Sequence, residues 1–546
     1  MTRRTTNAKP PTTQPTRRPR PTGSVAFVGA GPGDPELLTV RAVELLAKAD
    51  VVVVESQDAA FVQRFCRPDV EVVDGSLGDD GQPLSHAVRA RLVVKAAKGG
   101  GLVVRVLDGD PFLYATGSEE AARCAKAGIP FEVVPGVSSV SAVPAYAGIP
   151  LTSAKHREVH IVNVSEGGID WASLGEGTAT LVLLSATKVI ANAAKALIAA
   201  GRDPETPVAM TQLGTTTGQR TVTSTLECVA ADVKAAKLAP PTVTVVGDTV
   251  ELREQLSWFE TKPLFGWRVL VPRTKEQAGA LSERLRDFGA VPEEVPTIAV
   301  EPPRTPQQME RAIKGLVTGR YEWIAFTSRN AVKAVRERFE EYGLDARAFA
   351  GIKVAAVGEA TAGDLLAWGI KPDLVPTGEQ SAAGLLEDFP PYDAVFDPID
   401  RVFLPRADIA TENLVAGLVE RGWEVDDVTA YRTVRAAPPA APIREAIKTG
   451  GYDAVVFTSS STVRNLVGIA GKPHAATVIA CIGPATAKTA EEHGLRVDVL
   501  ADEPSVAELA SVLAEYGSTR RAAAMAAGEP VLRPSQKRAT ARRKAT

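Results

Sequence analysis

The sequence predicts an α/β protein built of two successive blocks, the second made of two similar lobes, and three observations predict it. Strand-sized apolar runs alternate with helical patterns from "SVAFVGA" (24–30) through "ADVVVVE" (49–55) and "GLVVRVL" (101–107) to "TVTVVGD" (242–248). That alternation marks strands joined by crossover helices. The second block repeats itself at offsets of about 125 to 133 residues: "RVLVPR" (268–273) returns as "RVFLPR" (401–406), and "YEWIAFTSRNAVKAV" (321–335) as "YDAVVFTSSSTVRNL" (452–466). Such a period is too long for a solenoid and implies a duplicated lobe. Finally, 546 residues exceed what one core organises.

Taken in order, the chain opens with a tail. Residues 1–22 hold six basic and no acidic side chains among Pro and Thr, and residues 518–546 hold eight basic residues against the single Glu529. We expect residues 1–23 and 518–546 to be disordered basic termini, since neither has aromatics or a packing pattern. The overall charge of −3 therefore hides an acidic core, which, with no recognition-helix motif, argues against a nucleic-acid partner.

The first block, 24–255, begins "VAFVGAGPGDPELLT" (25–39). Its G-x-G after a strand, with Glu55 ending the next strand, permits a dinucleotide-binding reading. Against it, the third glycine is missing, and Asp34 would set a carboxylate where a pyrophosphate belongs. Asp34 reads as a helix N-cap with Pro35 at the first helical position, the helix running on through "ELLTVRAVELLAKA". Farther along, "HREVH" (156–160) pairs two His without an obvious third ligand, so no metal site is expected. Four scattered cysteines, the lack of an apolar run of membrane-spanning length and a charged start suit a reducing cytoplasm.

A short segment, 256–265, links this block to the second, 266–517. There the strands end in small polar turns, "FTSRN", "FTSSS", "VGEAT" and "IGPAT". Each alone reads as a helix cap; four at matching places in two lobes favour a ligand cleft between the lobes.

Longer motifs extend this reading. "VGAGPGDPELLTVRAVELLAKADVVV", "VVRVLDGDPFLYATGSEEAARCAKAGIPFEVVPGVSSVSAVPAYAGIPLT", "GTTTGQRTVTSTL" and "PPTVTVVGD" resemble, in collinear order, the tetrapyrrole C-methyltransferases, uroporphyrinogen-III methyltransferase most of all. The resemblance implies two α/β lobes around S-adenosyl-L-methionine and transfer of methyl groups to two pyrrole carbons of uroporphyrinogen III, giving precorrin-2. It implies cofactor contacts at Pro32, Asp108, Gly109, Asp110, Leu113, Ser138, Ser139, Ser185 and Gly214, a proton-handling Glu55, and a homodimer. The chain departs from that pattern at Leu107 (usually Lys), Asp108 (Gly), Thr116 (Arg) and Ser185 (Met), and lacks a "GKR" stretch near Ser76.

Residues 266–517 resemble uroporphyrinogen-III synthase through "RVLVPRTKEQAGALSERLRDFGA", "WIAFTSRNAV", "FLPRADIATENLVAGLVERGWEV", "AYRTV", "VVFTSSSTV" and "CIGPATAKTA". The resemblance implies lobes of 266–298 plus 433–517 and of 301–430, and closure of hydroxymethylbilane with inversion of its last ring. No cofactor is implied. Tyr431 would assist hydroxide departure. Thr327, Ser328, Ser459, Ser460 and Thr486, with Arg273, Arg406 and Arg432, are candidates to hold carboxylates. The product of the second block would be the substrate of the first, which predicts a bifunctional enzyme. Left open are a synthase whose first domain binds ligand without methylating, and a regulator acting through the tails.

Overall fold

A computed structural model describes residues 23–55, 62–78, 81–165, 167–273, 279–408 and 413–537. The chain divides into two compact units at Gly266/Trp267.

In the first unit, β1 (Ser24–Gly29), β2 (Val51–Val54), β3 (Glu71–Asp74), β4 (Leu102–Leu107) and β5 (Phe131–Val134) form a parallel sheet in the order β3-β2-β4-β1-β5. Its strands are continuous Val-rich runs because helices cover both faces. The buried Ala26, Val28 and Val104 pack on one side, and Val25, Phe27 and Val103 on the other. A second lobe comprises β6 (Val159–Asn163), β7 (Thr180–Leu184), β8 (Pro207–Gln212), β9 (Arg220–Thr225) and β10 (Thr242–Val246), ordered β6-β7-β10-β8-β9. Here only β6 and β7 pair in parallel.

The opening stretch differs from expectation. The helix after Asp34 is broken: a short 3₁₀ turn spans Pro35–Leu37, and an α-helix, Val40–Lys48, starts again with Thr39 as its own N-cap. Two capping residues five apart divide what periodicity reads as one helix, because each side chain captures the N–H groups ahead of it. The segment expected as a linker is also corrected, since it packs on the first unit. Phe259 is buried, Trp258 and Phe259 stack edge-on against Tyr146, and the Trp258 indole N–H donates to the Ala145 carbonyl.

The second unit holds β11 (Arg268–Arg273), β12 (Val291–Pro296), β13 (Ile298–Glu301), β14 (Trp323–Phe326), β15 (Lys353–Ala356), β16 (Arg401–Ala407), β17 (Glu424–Arg435), β18 (Ala454–Phe457), β19 (Val478–Cys481) and β20 (Val499–Leu500). These make two five-stranded sheets, β12-β11-β18-β19-β20 and β13-β17-β16-β14-β15. All pairings are parallel except β13 on β17. Strand β17 pairs first with β16, through Ala407↔Tyr431, and then with β13, from Glu301↔Arg432 to Ile298↔Arg435.

The expected disordered end also needs correction. A helix continues over Val506–Ala526, and Ser535 donates through its N–H and its hydroxyl to the buried Asp453 carboxylate at 2.9 and 2.7 Å. The expected tails at 1–22 and 538–546 lie outside the described residues. No helix among the described residues is long and apolar enough to cross a membrane.

Candidate active sites

Three glycines at the carboxyl edge of the first sheet bring its loops together. A Cβ on Gly29 would lie 2.4 Å from the Gly109 carbonyl oxygen and 2.5 Å from Gly136 Cα; one on Gly136 would lie 2.0 Å from the same oxygen. Only backbone fits there, so the loops after β1, β4 and β5 converge on one spot, outside the strand ends where parallel sheets take ligands.

Above it lies a cavity of about 810 Å³, walled by both lobes and within the range of small-molecule sites. Pro32, Asp108, Gly109, Leu113, Ser139, Ser185 and Gly214 line it. Asp110 and Ser138 do not; they build the loops that do. The Asp110 carboxylate accepts from the N–H groups of Phe112 and Gly136 at 2.9 and 3.1 Å, and Ser138 caps the helix Ser139–Tyr146.

Tyr114, Ser185 and Leu213, all on the wall, have φ of 54°, 58° and 49°, and the adjoining Thr215 has 66°. Left-handed backbone at side-chain-bearing residues costs on the order of 1 kcal/mol each and gathers at functional sites. Sequence reading missed Tyr114, whose hydroxyl donates to the Ile161 carbonyl of the other lobe at 2.8 Å. Nothing local signals that contact.

Asp34 has a larger role than a cap. It accepts the Glu36 N–H at 2.9 Å and the Tyr146 hydroxyl at 2.9 Å, and its own N–H donates to Thr215 Oγ1 at 3.1 Å. Burial, reinforced by the Asp34 carboxylate, pushes the Tyr146 phenol well above its ordinary range, so Tyr146 stays a donor. Gln219 accepts the Thr215 N–H at 2.8 Å and donates to Glu260 at 2.8 Å, and Glu260 also accepts from Thr221 and pairs with Arg253. The segment 257–265 thereby props the loop that carries Gly214.

Glu55, expected as a proton handler, is not on the cavity wall. Its carboxylate lies 3.3 Å from Arg105 Nη2 and 3.5 Å from Arg89 Nη1. Arg105 and Glu120 are fully buried and joined at 2.9 Å, with the Thr116 hydroxyl donating to Glu120 at 3.1 Å. Glu55 is thus the outer member of an ion cluster. Leu107, in the position of a family lysine, is buried in the core, and Ser76 donates through its N–H and hydroxyl to Asp74.

In the second unit, Tyr431 sits where β17 changes partner, beside a register shift between Arg406 and Ala407; such irregularities re-aim a side chain. Its hydroxyl is 2.9 Å from Ser328 Oγ, and it lines a cavity of about 740 Å³ with β13 and the helix Arg329–Glu341. Thr327 follows the end of β14 at Phe326 and precedes Ser328, which caps that helix.

Most of the other candidates have acquired partners. Ser459 forms a capping box with Thr462. The Ser460 hydroxyl donates to the Ala485 carbonyl and accepts from Thr489. Thr486 is buried within the helix Pro484–Glu492. Arg406 is buried against Asp427, and Arg432 pairs with Glu301 across β17 and β13 at 2.7 Å. The expectation that Arg406 and Arg432 stand ready for carboxylates is therefore corrected: both are spent on structural pairs. Arg273 ends β11, and its side chain lies outside the described residues.

His156 is paired with Asp248 at 3.1 Å, and among the described residues no three His, Cys, Asp or Glu side chains gather as metal ligands.

Residues 24–230 match the family Tetrapyrrole (Corrin/Porphyrin) Methylases, and residues 279–511 match Uroporphyrinogen-III synthase HemD. The porphyrin biosynthesis protein HemD of Ruminiclostridium josui is 32% identical over 508 residues, which cover 91% of this chain and 98% of that protein. The chain belongs to this family of fused tetrapyrrole methylases and uroporphyrinogen-III synthases. It is an enzyme of tetrapyrrole biosynthesis, with a methylase unit followed by a synthase unit. The sirohaem synthase of Azotobacter vinelandii is 40% identical over 247 residues, 44% of this chain and 53% of that protein, so this chain spans about half of such relatives. A solved uroporphyrin-III C-methyl transferase from Thermus thermophilus, complexed with S-adenyl homocysteine, matches at 33% identity over 42% of this chain and 94% of that one, with a TM-score of 0.36.

Proposed function

We propose that the synthase unit cyclises hydroxymethylbilane to uroporphyrinogen III, inverting the last ring, and that the methylase unit then methylates two pyrrole carbons with S-adenosyl-L-methionine to give precorrin-2. The observation that carries the second step is the two-lobed cavity, in which seven of the residues expected to hold the cofactor meet.

The wall suits that cofactor. Val140, Val143, Leu184 and Val243 offer apolar surface for an adenine, Ser139, Ser185 and Thr187 offer hydroxyls, and Asp108 and Lys188 supply one charge of each sign for an ammonium and a carboxylate. A dinucleotide would call for a cluster of phosphate donors. S-adenosylmethionine, when bound, supplies the methyl group. The protein's part is to hold a pyrrole carbon in line with it, a matter of positioning, since the pyrrole is already electron-rich. Pro32, Gly109, Leu113 and Gly214 would cradle the cofactor, with Asp110 and Ser138 shaping the loops.

In the synthase unit, the Tyr431 hydroxyl, oriented by Ser328, would donate a proton to the departing hydroxide of the bilane. The substrate brings its own nucleophilic carbon, so no protein nucleophile is needed.

A second reading, a synthase with a non-methylating first unit, draws support from the buried Leu107 and the Glu120-bound Thr116. At both positions related methylases carry a cation for a polycarboxylate. One experiment separates the readings: pure protein is incubated with hydroxymethylbilane, with and without S-adenosylmethionine. Precorrin-2 is expected only in the tube that contains S-adenosylmethionine. Uroporphyrinogen III in both would support the second reading, and uroporphyrinogen I, the spontaneous product, would overturn the synthase assignment.

A further inference from the structure

Away from the cofactor cavity, the methylase unit carries a groove of about 450 Å³ between the helices His86–Lys98 and Gly117–Lys126. Its walls present Arg91, Lys95, Lys98, Arg123 and Lys126, its floor is Ala90, Val94 and Ala127, and no acidic side chain lines it. All five cations are exposed, and none has a hydrogen bond or ion pair among the described residues. This is unlike the same unit's Arg41, Arg67, Arg89, Arg105 and Arg253, which all have carboxylate partners.

Helix dipoles explain part of the pattern. Lys95, Lys98, Arg123 and Lys126 lie in the last turns of their helices, where the carbonyl ends favour cations. That effect accounts for each singly. It does not account for Arg91, one turn earlier on the same face, nor for an apolar floor between two cationic walls. Arg91, Lys95 and Lys98 recur at helical spacing over about 10 Å, close to the breadth of a tetrapyrrole ring.

We propose that this groove is a second binding site, for a tetrapyrrole polycarboxylate, with the ring over Ala90, Val94 and Ala127 and its carboxylates on the five cations. The inference rests on the proposed function only for the kind of molecule this enzyme meets; charge complementarity and the apolar floor carry the rest. A nucleic acid would want aromatic stacking platforms, and the groove lining has none.

The test titrates the full chain, wild type and K95E/K98E, with uroporphyrin III, following stoichiometry by calorimetry and by porphyrin fluorescence. The wild type is expected to bind one more equivalent than the variant, or to bind that equivalent about tenfold more tightly, with affinity falling as salt rises. Identical stoichiometry and affinity in both proteins would overturn the proposal. So would single-stranded DNA or polyglutamate binding that is lost in K95E/K98E while uroporphyrin binding is not. Cyclisation and methylation are assayed on the same preparations. A protein that performs neither reaction yet shows the extra equivalent keeps the groove and loses the proposed function. An active protein without it loses only the groove.

Discussion

In the methylase unit seven of the ten residues expected at the site line one cavity, whereas in the synthase unit most of the expected hydroxyls and guanidiniums are occupied by helix caps, helix–helix contacts and ion pairs. The contrast follows from what each proposed reaction asks of a protein. Methyl transfer demands two molecules held in line, so it needs a shaped cavity and loops fixed in strained conformations. Ring closure is driven by the substrate's own chemistry, so one donor such as Tyr431 and a folded path suffice.

Breaking the scaffold of the first unit should give the largest effect. Glu120→Ala leaves the buried Arg105 without its partner, and a loss of about 3–5 kcal/mol of stability is expected in urea unfolding. A loss under about 1 kcal/mol would mean that Glu55 alone satisfies Arg105. Next, Tyr431→Phe should slow cyclisation about a hundredfold while leaving methylation of supplied uroporphyrinogen III untouched. An unchanged cyclase rate would remove Tyr431 from the mechanism and leave the synthase unit without an identified donor.

A smaller effect should sharpen the role of the 257–265 segment. Glu260→Gln weakens the charged contacts to Arg253, Thr221 and Gln219, worth about 1–2 kcal/mol. It should loosen S-adenosylhomocysteine binding about tenfold, with cyclisation unaffected; unchanged binding would make the segment passive packing. The smallest effect compares the two cores directly. Burial pushes the thiols of Cys124 and Cys481 up to about 11 and about 12. At pH 8 both therefore stay protonated, and an exposed Cys228 should react first with a thiol reagent. Prompt labelling of Cys481 would reveal opening of the synthase core.

The loop "GAGPGDPELLT" was legible as a capped turn at a ligand site because Asp34 and Pro35 act within a few residues of themselves. Its ties to Tyr146 and Thr215 were not, since they span 112 and 181 residues. The same limit hid Tyr114, whose partner Ile161 lies on the other lobe. It also misassigned Arg406 and Arg432, whose carboxylates come from neighbouring strands.

The sequence by itself determined the alternation of strand and helix, the duplicated second half, the two families and the glycine-rich loop after the first strand. These depend on periodicity and on backbone freedom, both local properties. Only the tertiary structure decided which polar groups remain for chemistry. A buried hydroxyl or guanidinium must find a partner, and whether that partner is a neighbouring strand or a substrate depends on what the fold brings beside it. Arg406 found Asp427; among the described residues Arg91 and Lys95 found no partner.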